Sequence, residues 1–331
     1  MSSAISSVDK VHIRVLVNNY VDPTFVTEEK FKDLVIQPER NAGTCVGDHG
    51  LTLDITLMKD GNVHHLLFDA GGTNGTVLQN AMAFRVKFET FEKIIISHGH
   101  VDHYGGLFKT LEQIQETELI ISPHAFNQKY MLTGKLTGMK IDPQTIDYRQ
   151  FKKEKLIFQL PPFKEKLIRK FMEGRNITLN KEITRPTQIF EGCWISGEID
   201  ILKEDEISHG LLYQKDKVFY EDNFRDELSL YINVEGKGLV VLTGCCHCGV
   251  YNTVEHAKKV TGINKIYAII GGLHHIWSDF NTINQVLTYI KSQEPQIICP
   301  MHCSGLNFLM AARTQMPDQT PIGVVGTQFQ L

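Results

Sequence analysis

Between Ser97 and Gly106 the chain reads SHGHVDHYGG, placing His98, His100, Asp102 and His103 within six positions. Three imidazoles and a carboxylate held so close repel or desolvate one another unless a cation sits among them. That donor set suits zinc, iron or another borderline divalent ion. His98, His100 and Asp102 share parity, so an extended loop projects all three to one side. Gly99 removes a side chain where the backbone must bend. The plain alternative is a solvated histidine-rich loop, but an apolar strand before it and Gly105-Gly106 after it fix the segment at an element boundary.

Further candidates recur where strands are expected to end. His247 follows LVVLTGCC and His302 follows QIICPM; each is a metal-ligand candidate, against the reading of a structural loop histidine. Asp69 closes HHLLFDAGG and can orient a ligand imidazole by accepting its second N–H; the alternative is a turn residue before a helix. His274 in GGLHHIW, Cys245 in TGCCH and His49 in GDHGL are candidates for a substrate pocket. Asp102 is the candidate catalytic group.

The elements that must position these residues are legible as strands and helices in alternation. VHIRVLVNN alternates, LTLDITLMKDGNVHHLLFDA reads as a hairpin turning at Asp60-Gly61, and KIIIS and ELIISPH are short apolar strands. Helices are expected at about Thr73 to Phe84 and from about Leu107. In the last third KGLVVLTG, KIYAIIGG and PQIICP are strands. The helix after the first has Asn252 and Glu255 at capping-box spacing and stops at Gly262. A second helix carries Ile283, Val286, Leu287 and Ile290 on one face. Strands each followed by a helix imply layered α/β architecture. The lysine-rich stretch at about 125–185, broken at Pro161-Pro162, reads as an insertion or lid on a single domain spanning 1–331, or as a solvated helical hairpin.

With 331 residues, the chain can bury a large core without staples. Its 34 basic and 38 acidic residues leave a formal charge of −4, which gives no support for a nucleic-acid or acidic-membrane partner. No apolar run approaches the ~18 residues of a membrane span, and the polar opening MSSAISSVDK does not read as a targeting segment. A small-molecule substrate and a cytoplasmic location are the expectation, and the oligomeric state is open. The seven cysteines include Cys245, Cys246, Cys248, Cys299 and Cys303, without the paired spacing of zinc ribbons. They fit a reducing compartment better than a disulfide framework. A non-catalytic metal-binding or redox-sensing protein, with Cys245, Cys246 and Cys248 as responsive thiols, is the alternative function.

H-x-H-x-D-H after a short apolar strand resembles the metal motif of the metallo-β-lactamase superfamily. DHGLTLDI, LLFDAGG, GKGLVVLTGCCHCGVYNT, YAIIGGLHH and PMHCSG resemble its dihydropteroate-synthase-like branch more narrowly. Some branch members are similar to enzymes joining a dihydropterin diphosphate to a ribofuranosyl-aminobenzene phosphate. The resemblance implies a four-layer αββα sandwich with a dinuclear site at one edge. It implies that His98 and His100 hold one ion and Asp102 and His103 the other, that His302 is the superfamily's final histidine, and that His247 is a further ligand. It also implies a metal-dependent hydrolase or transferase with two divalent ions, zinc first and iron or manganese as alternatives. Such ions supply a metal-bound hydroxide for hydrolysis, or a Lewis acid toward a phosphorylated or pterin-like substrate.

Overall fold

The computed structural model describes residues 6–36, 44–73 and 75–331; the first five residues of the polar opening lie outside them. The strands are β1 (Lys10–Val17), β2 (Val35–Ile36), β3 (Thr52–Lys59), β4 (Asn62–Phe68), β5 (Lys93–Ile96), β6 (Glu116–Ile121), β7 (Gln128–Leu132), β8 (Ile157–Gln159) and β9 (Asn176–Asn180). They continue as β10 (Thr187–Phe190), β11 (Cys193–Ile195), β12 (Leu211–Lys215), β13 (Val218–Glu221), β14 (Leu230–Val234), β15 (Gly238–Thr243), β16 (Ile266–Gly272), β17 (Ile297–Met301) and β18 (Gln328–Gln330). The α-helices are α1 (Thr76–Ala83), α2 (Val101–Tyr104), α3 (Leu107–Glu112), α4 (Tyr148–Lys153), α5 (Glu165–Met172), α6 (Val250–Thr261), α7 (Phe280–Ser292) and α8 (Gly305–Gln315).

Two sheets carry the fold. One runs β2-β18-β1-β3-β4-β5-β6-β9, the other β10-β11-β14-β15-β16-β17. Strand periodicity divides their side chains between two faces. Leu66, Phe68 and Ile95 of the first sheet meet Val240, Leu242 and Ile270 of the second in an apolar layer between the sheets. Leu67, Ile94 and Ile96 face outward onto α1, α3 and α5, through Val77, Leu107, Leu111 and Ile168. Leu239, Val241 and Ile269 face the opposite way, onto α6, α7 and α8. The four layers are therefore helix, sheet, sheet, helix: the αββα sandwich.

The hairpin turns where the sequence places it. Asp60 and Gly61 both take positive φ, 50° and 80°, as a type I′ turn between right-twisted strands requires. From β4 the first sheet turns parallel, through β5, β6 and β9, as do β15, β16 and β17 in the second. The helix after β15 ends at Gly262 in left-handed backbone (φ 68°), as its sequence predicts. Its start differs. Gly249 precedes the first turn and Asn252 lies buried inside it. There its side chain accepts from the Leu202 and Lys203 N–H groups and donates to the Lys203 and Cys248 carbonyls. Asn252 thus ties a loop down instead of capping the helix.

The lysine-rich middle divides into two parts. β7 and β8 pair with β12 and β13 in a third sheet, ordered β13-β12-β7-β8, over a small core of Tyr130, Leu132, Ile157, Leu212 and Phe219. By contrast, α5 covers the outer face of the first sheet through buried Ile168, and β9 extends that sheet beside β6. The lysines and Arg169 of α5 lie around one apolar stripe, which a count of charges conceals. No helix among the described residues is long and apolar enough to cross a membrane.

Candidate functional site

The parallel strands deliver their following loops to one edge of the sandwich. Asp69 follows β4, Ser97 and His98 follow β5, Cys245 and His247 follow β15, His274 follows β16, and His302 and Cys303 follow β17. Four of these loops place a non-glycine residue in left-handed backbone: Asp69 (φ 63°), Cys246 (61°), His274 (46°) and His302 (49°). Such backbone costs on the order of 1–3 kcal/mol per residue and persists where surrounding structure imposes it.

The shared-parity expectation for His98, His100 and Asp102 gives way to a mixed geometry. The backbone bends at His98 and Gly99 and is extended at His100, then turns helical at Val101, so Asp102 and His103 leave from α2. Gly99 is needed for close approach: a Cβ there would lie 2.2 Å from the Ala125 carbonyl oxygen.

Two groups of donors result. Asp102, His103, Cys245 and His302 each offer one ligand atom within 4.8 Å of the others, and His98, Cys245 and His247 do the same. His100 stands beside the second group, its Nδ1 3.1 Å from His98 Nε2 and its ring centroid 4.9 Å from that of His247. Every sequence-derived metal candidate is thus brought to the same edge. Of the pocket candidates, His274 packs on His247 with ring centroids 4.1 Å apart, and His49 sits at the rim with Nε2 3.6 Å from Asp102. Cys245 lies in the centre rather than in a side pocket.

The hydrogen bonds fix which nitrogens are free. Asp69 accepts from the Ser97 N–H at 2.7 Å and from its hydroxyl at 2.8 Å, and Asp69 Oδ2 lies 2.6 Å from His103 Nδ1. The Ser97 oxygen in turn lies 2.9 Å from His98 Nδ1. With Nδ1–H donated in both rings, His98 Nε2 faces His100 Nδ1 and His103 Nε2 faces Cys245 Sγ at 3.0 Å. His302 Nδ1 donates to Asn19 Oδ1 at 3.0 Å, an orientation supported by Asn19 Nδ2 lying 3.2 Å from His49 Nδ1. His302 Nε2 then presents a lone pair to the Asp102 carboxylate at 3.1 Å.

A divalent cation would bridge donor atoms that converge at these distances. Two further observations agree. His100 Nε2 and both nitrogens of His247, all buried, have no hydrogen-bond partner among the described residues. Buried polar atoms without partners are costly. Burial also holds His98 and His247 well below the usual histidine range and His100 at about 3, so these rings are neutral with lone pairs available. Burial lowers His103 too, but Asp69 and Asp102 outweigh it and raise the ring to about 9. Burial would raise Asp102, yet His103 and His302 hold its carboxyl well below the usual range. The donors fit a divalent cation in place of a shared proton.

A loop that sequence reading passes over supports this edge. Lys129 of β7 is buried and donates to Asp222 at 2.6 Å and Asp226 at 2.9 Å. Asp226 accepts from the Gly99 N–H, and Glu227 accepts from the N–H groups of His247 (2.6 Å) and Cys248 (2.7 Å). Phe224 stacks on the His247 ring, with centroids 4.4 Å apart and planes 8° from parallel. The signal available in the sequence is the acidic run EDNFRDE placed directly before an apolar strand.

The other cysteines disperse. Cys246 turns into the core under α6, Cys248 lies against Phe224, and Cys299 faces the layer between the sheets.

The description "Metallo-beta-lactamase superfamily" matches residues 54–175. A relative in Methanocaldococcus jannaschii, named 7,8-dihydropterin-6-methyl-4-(beta-D-ribofuranosyl)-aminobenzene-5'-phosphate synthase, is 30% identical over 268 residues, covering 78% of this chain and 81% of the relative. An uncharacterized protein of the same organism is 30% identical over 262 residues, covering 79% of this chain and 86% of its own. The crystal structure of a metal-dependent hydrolase of the beta-lactamase superfamily superposes with a TM-score of 0.69 at 19% identity, covering 96% of this chain and 98% of that one. The strand order, the helix-sheet-sheet-helix layering and these likenesses agree: the chain belongs to the metallo-beta-lactamase superfamily, as an enzyme of the dihydropteroate-synthase-like branch.

Proposed function

We propose that this enzyme is a metal-dependent hydrolase or transferase that holds two divalent ions and acts on a phosphorylated or pterin-like small molecule. The observation that carries the reading is the convergence of buried donor atoms at His98–His100 and Asp102–His302, beside a His247 whose two ring nitrogens have no partner among the described residues. One ion would be held by His98, His100 and His247, the other by Asp102, His103 and His302. Bound there, such ions supply Lewis acidity toward a carbonyl or phosphoryl oxygen and lower the pKa of water to ~7.

The chain's own groups do the positioning. Asp69 keeps the proton on His103 Nδ1, and Asn19 keeps it on His302 Nδ1, so each ring offers Nε2 inward. Asp102, whose side chain is 20% exposed, is the ionised carboxylate through which this edge meets solvent. A cleft of about 340 Å³ adjoins the site, lined by Glu206, Ser208, His209, His274 and Trp277 among others. Among the described residues the lining includes no lysine or arginine. Its acidic residues Asp205, Glu206 and Asp279 disfavour an anion there, so an anionic phosphate would go to the ion site. The named synthase activity of the Methanocaldococcus jannaschii relative supports a pterin-type substrate.

Alanine replacement of His100 and of His302 tests the proposal. Each variant is expected to bind less metal, and each to lose at least a hundredfold in turnover of a dihydropterin diphosphate with an aminobenzene ribose phosphate, or in hydrolysis of either alone. Full activity and unchanged metal content in both variants would sink it.

A further inference from the structure

Cys245 is the one residue common to both donor groups, and to a third made with His274 and Cys303. Its side chain is buried, at 1% exposure. Its Sγ lies 3.0 Å from His103 Nε2 and 3.2 Å from Cys303 Sγ. The loop allows no drift: a Cβ on Gly244 would lie 2.2 Å from the Ser97 hydroxyl, so the backbone just before Cys245 is pressed against the Ser97–Asp69 pair.

Charge makes the assignment. In the group of His98, His100 and His247, no carboxylate lies among the donors. In the other group Asp102 supplies the only carboxylate charge. Two divalent ions so close leave a positive excess that a second anion shared between them reduces. Cys245 Sγ is the atom placed to supply it. His247 provides the independent sign of a ligand: 1% exposed, with both ring nitrogens unpartnered among the described residues, and grouped with this sulfur.

Resting on the two-ion reading above, we propose that the Cys245 thiolate is a ligand common to both ions, in the place where a bridging carboxylate would otherwise stand. Binding converts the thiol to a metal-bound thiolate and releases one proton to solvent, with no change of oxidation state. Cys303 serves as a thiol donating S–H to that sulfur rather than as a ligand. His103 and Asp102, both on α2, would hold one of the two ions. A sulfur ligand in both sets biases the site toward zinc, iron(II) or cobalt and away from manganese or magnesium.

Cobalt(II) added stepwise to the full-length, metal-free chain tests this, because a thiolate ligand gives an intense near-ultraviolet charge-transfer absorption. The wild type is expected to gain that band with the first equivalent and again, by a similar amount, with the second. Cys245→Asp and the near-isosteric Cys245→Ser are expected to take up cobalt with the band reduced at least tenfold, while Cys303→Ser keeps it. Circular dichroism and the melting midpoint establish that each variant is folded. A band that saturates after one equivalent overturns the sharing. A band retained in both Cys245 variants, or lost in Cys303→Ser, overturns the assignment of this sulfur. If the wild type takes up no cobalt, the two-ion reading itself fails; uptake of two equivalents without any band overturns only the role of Cys245.

Discussion

Asp69 shows how one buried carboxylate can set a whole site. Its two oxygens receive the Ser97 N–H, the Ser97 hydroxyl and His103 Nδ1, and through Ser97 it also fixes the ring of His98. Asp69→Asn keeps the shape but puts an amide N–H where an acceptor is needed, so His103 loses either its tautomer or its orientation. Loss of a partner of this kind costs 10–100-fold in metal affinity. Competition against a chromophoric chelator should record a drop of about that size, in a protein whose melting midpoint shows it folded. An unchanged affinity would mean that His103 is oriented by packing alone. At this scale the histidine motif is legible because its four donors are neighbours in the chain. Asn18 and Asn19 are not: an asparagine after a strand reads as a turn residue. Only the fold shows Asn18 Oδ1 accepting from the His302 N–H, across 284 positions, while Asn19 orients the ring.

Among the elements, the third sheet supports the site through Leu211, packed with Phe224 and Cys248, and through a buried cation. Lys129 is 3% exposed and reaches from β7 to Asp222 and Asp226, whose loop then holds Gly99, His247 and Cys248. Removing the ammonium leaves two buried carboxylates unpaired, a change that typically costs 3–5 kcal/mol. Lys129→Met should therefore lower stability by about that amount in a denaturant titration, and metal affinity should fall with it as the loop under His100 and His247 loosens. A midpoint within ~0.5 kcal/mol of wild type would show that β7 is only an ornament on the sandwich. The sequence does not announce this link. Lys129 sits in a lysine-rich stretch that reads as solvated, and nothing local distinguishes the lysine that is buried. Strand and helix identities in the last third are more legible, because each apolar run is bounded by glycine or by a helical stripe. Capping is less so: Asn252 has the right spacing for a cap, but the Leu202–Lys203 backbone competes for its side chain and wins.

For the whole molecule, the candidate ligands divide between the sheets. His98, His100, Asp102 and His103 follow the first sheet, and Cys245, His247 and His302 the second, with the apolar layer of Leu66, Val240 and their neighbours behind them. The candidate site is completed only by loops from both sheets. Ions bound there would cross-link the two sheets at the edge where the hydrophobic layer ends and the backbone is strained. Anything that binds the folded state and not the unfolded one stabilises it by about 2.7 kcal/mol when its free concentration is 100-fold above Kd. Metal-free protein should therefore unfold at lower denaturant than protein with zinc at that excess, and Cys245→Ser should narrow the gap. The same comparison with His64→Ala, whose ring stacks on Phe190 and meets Glu92, should leave the metal-dependent gap intact. Equal midpoints with and without zinc in the wild type would show that the edge is closed by its hydrogen bonds alone, with no ion spanning the two sheets.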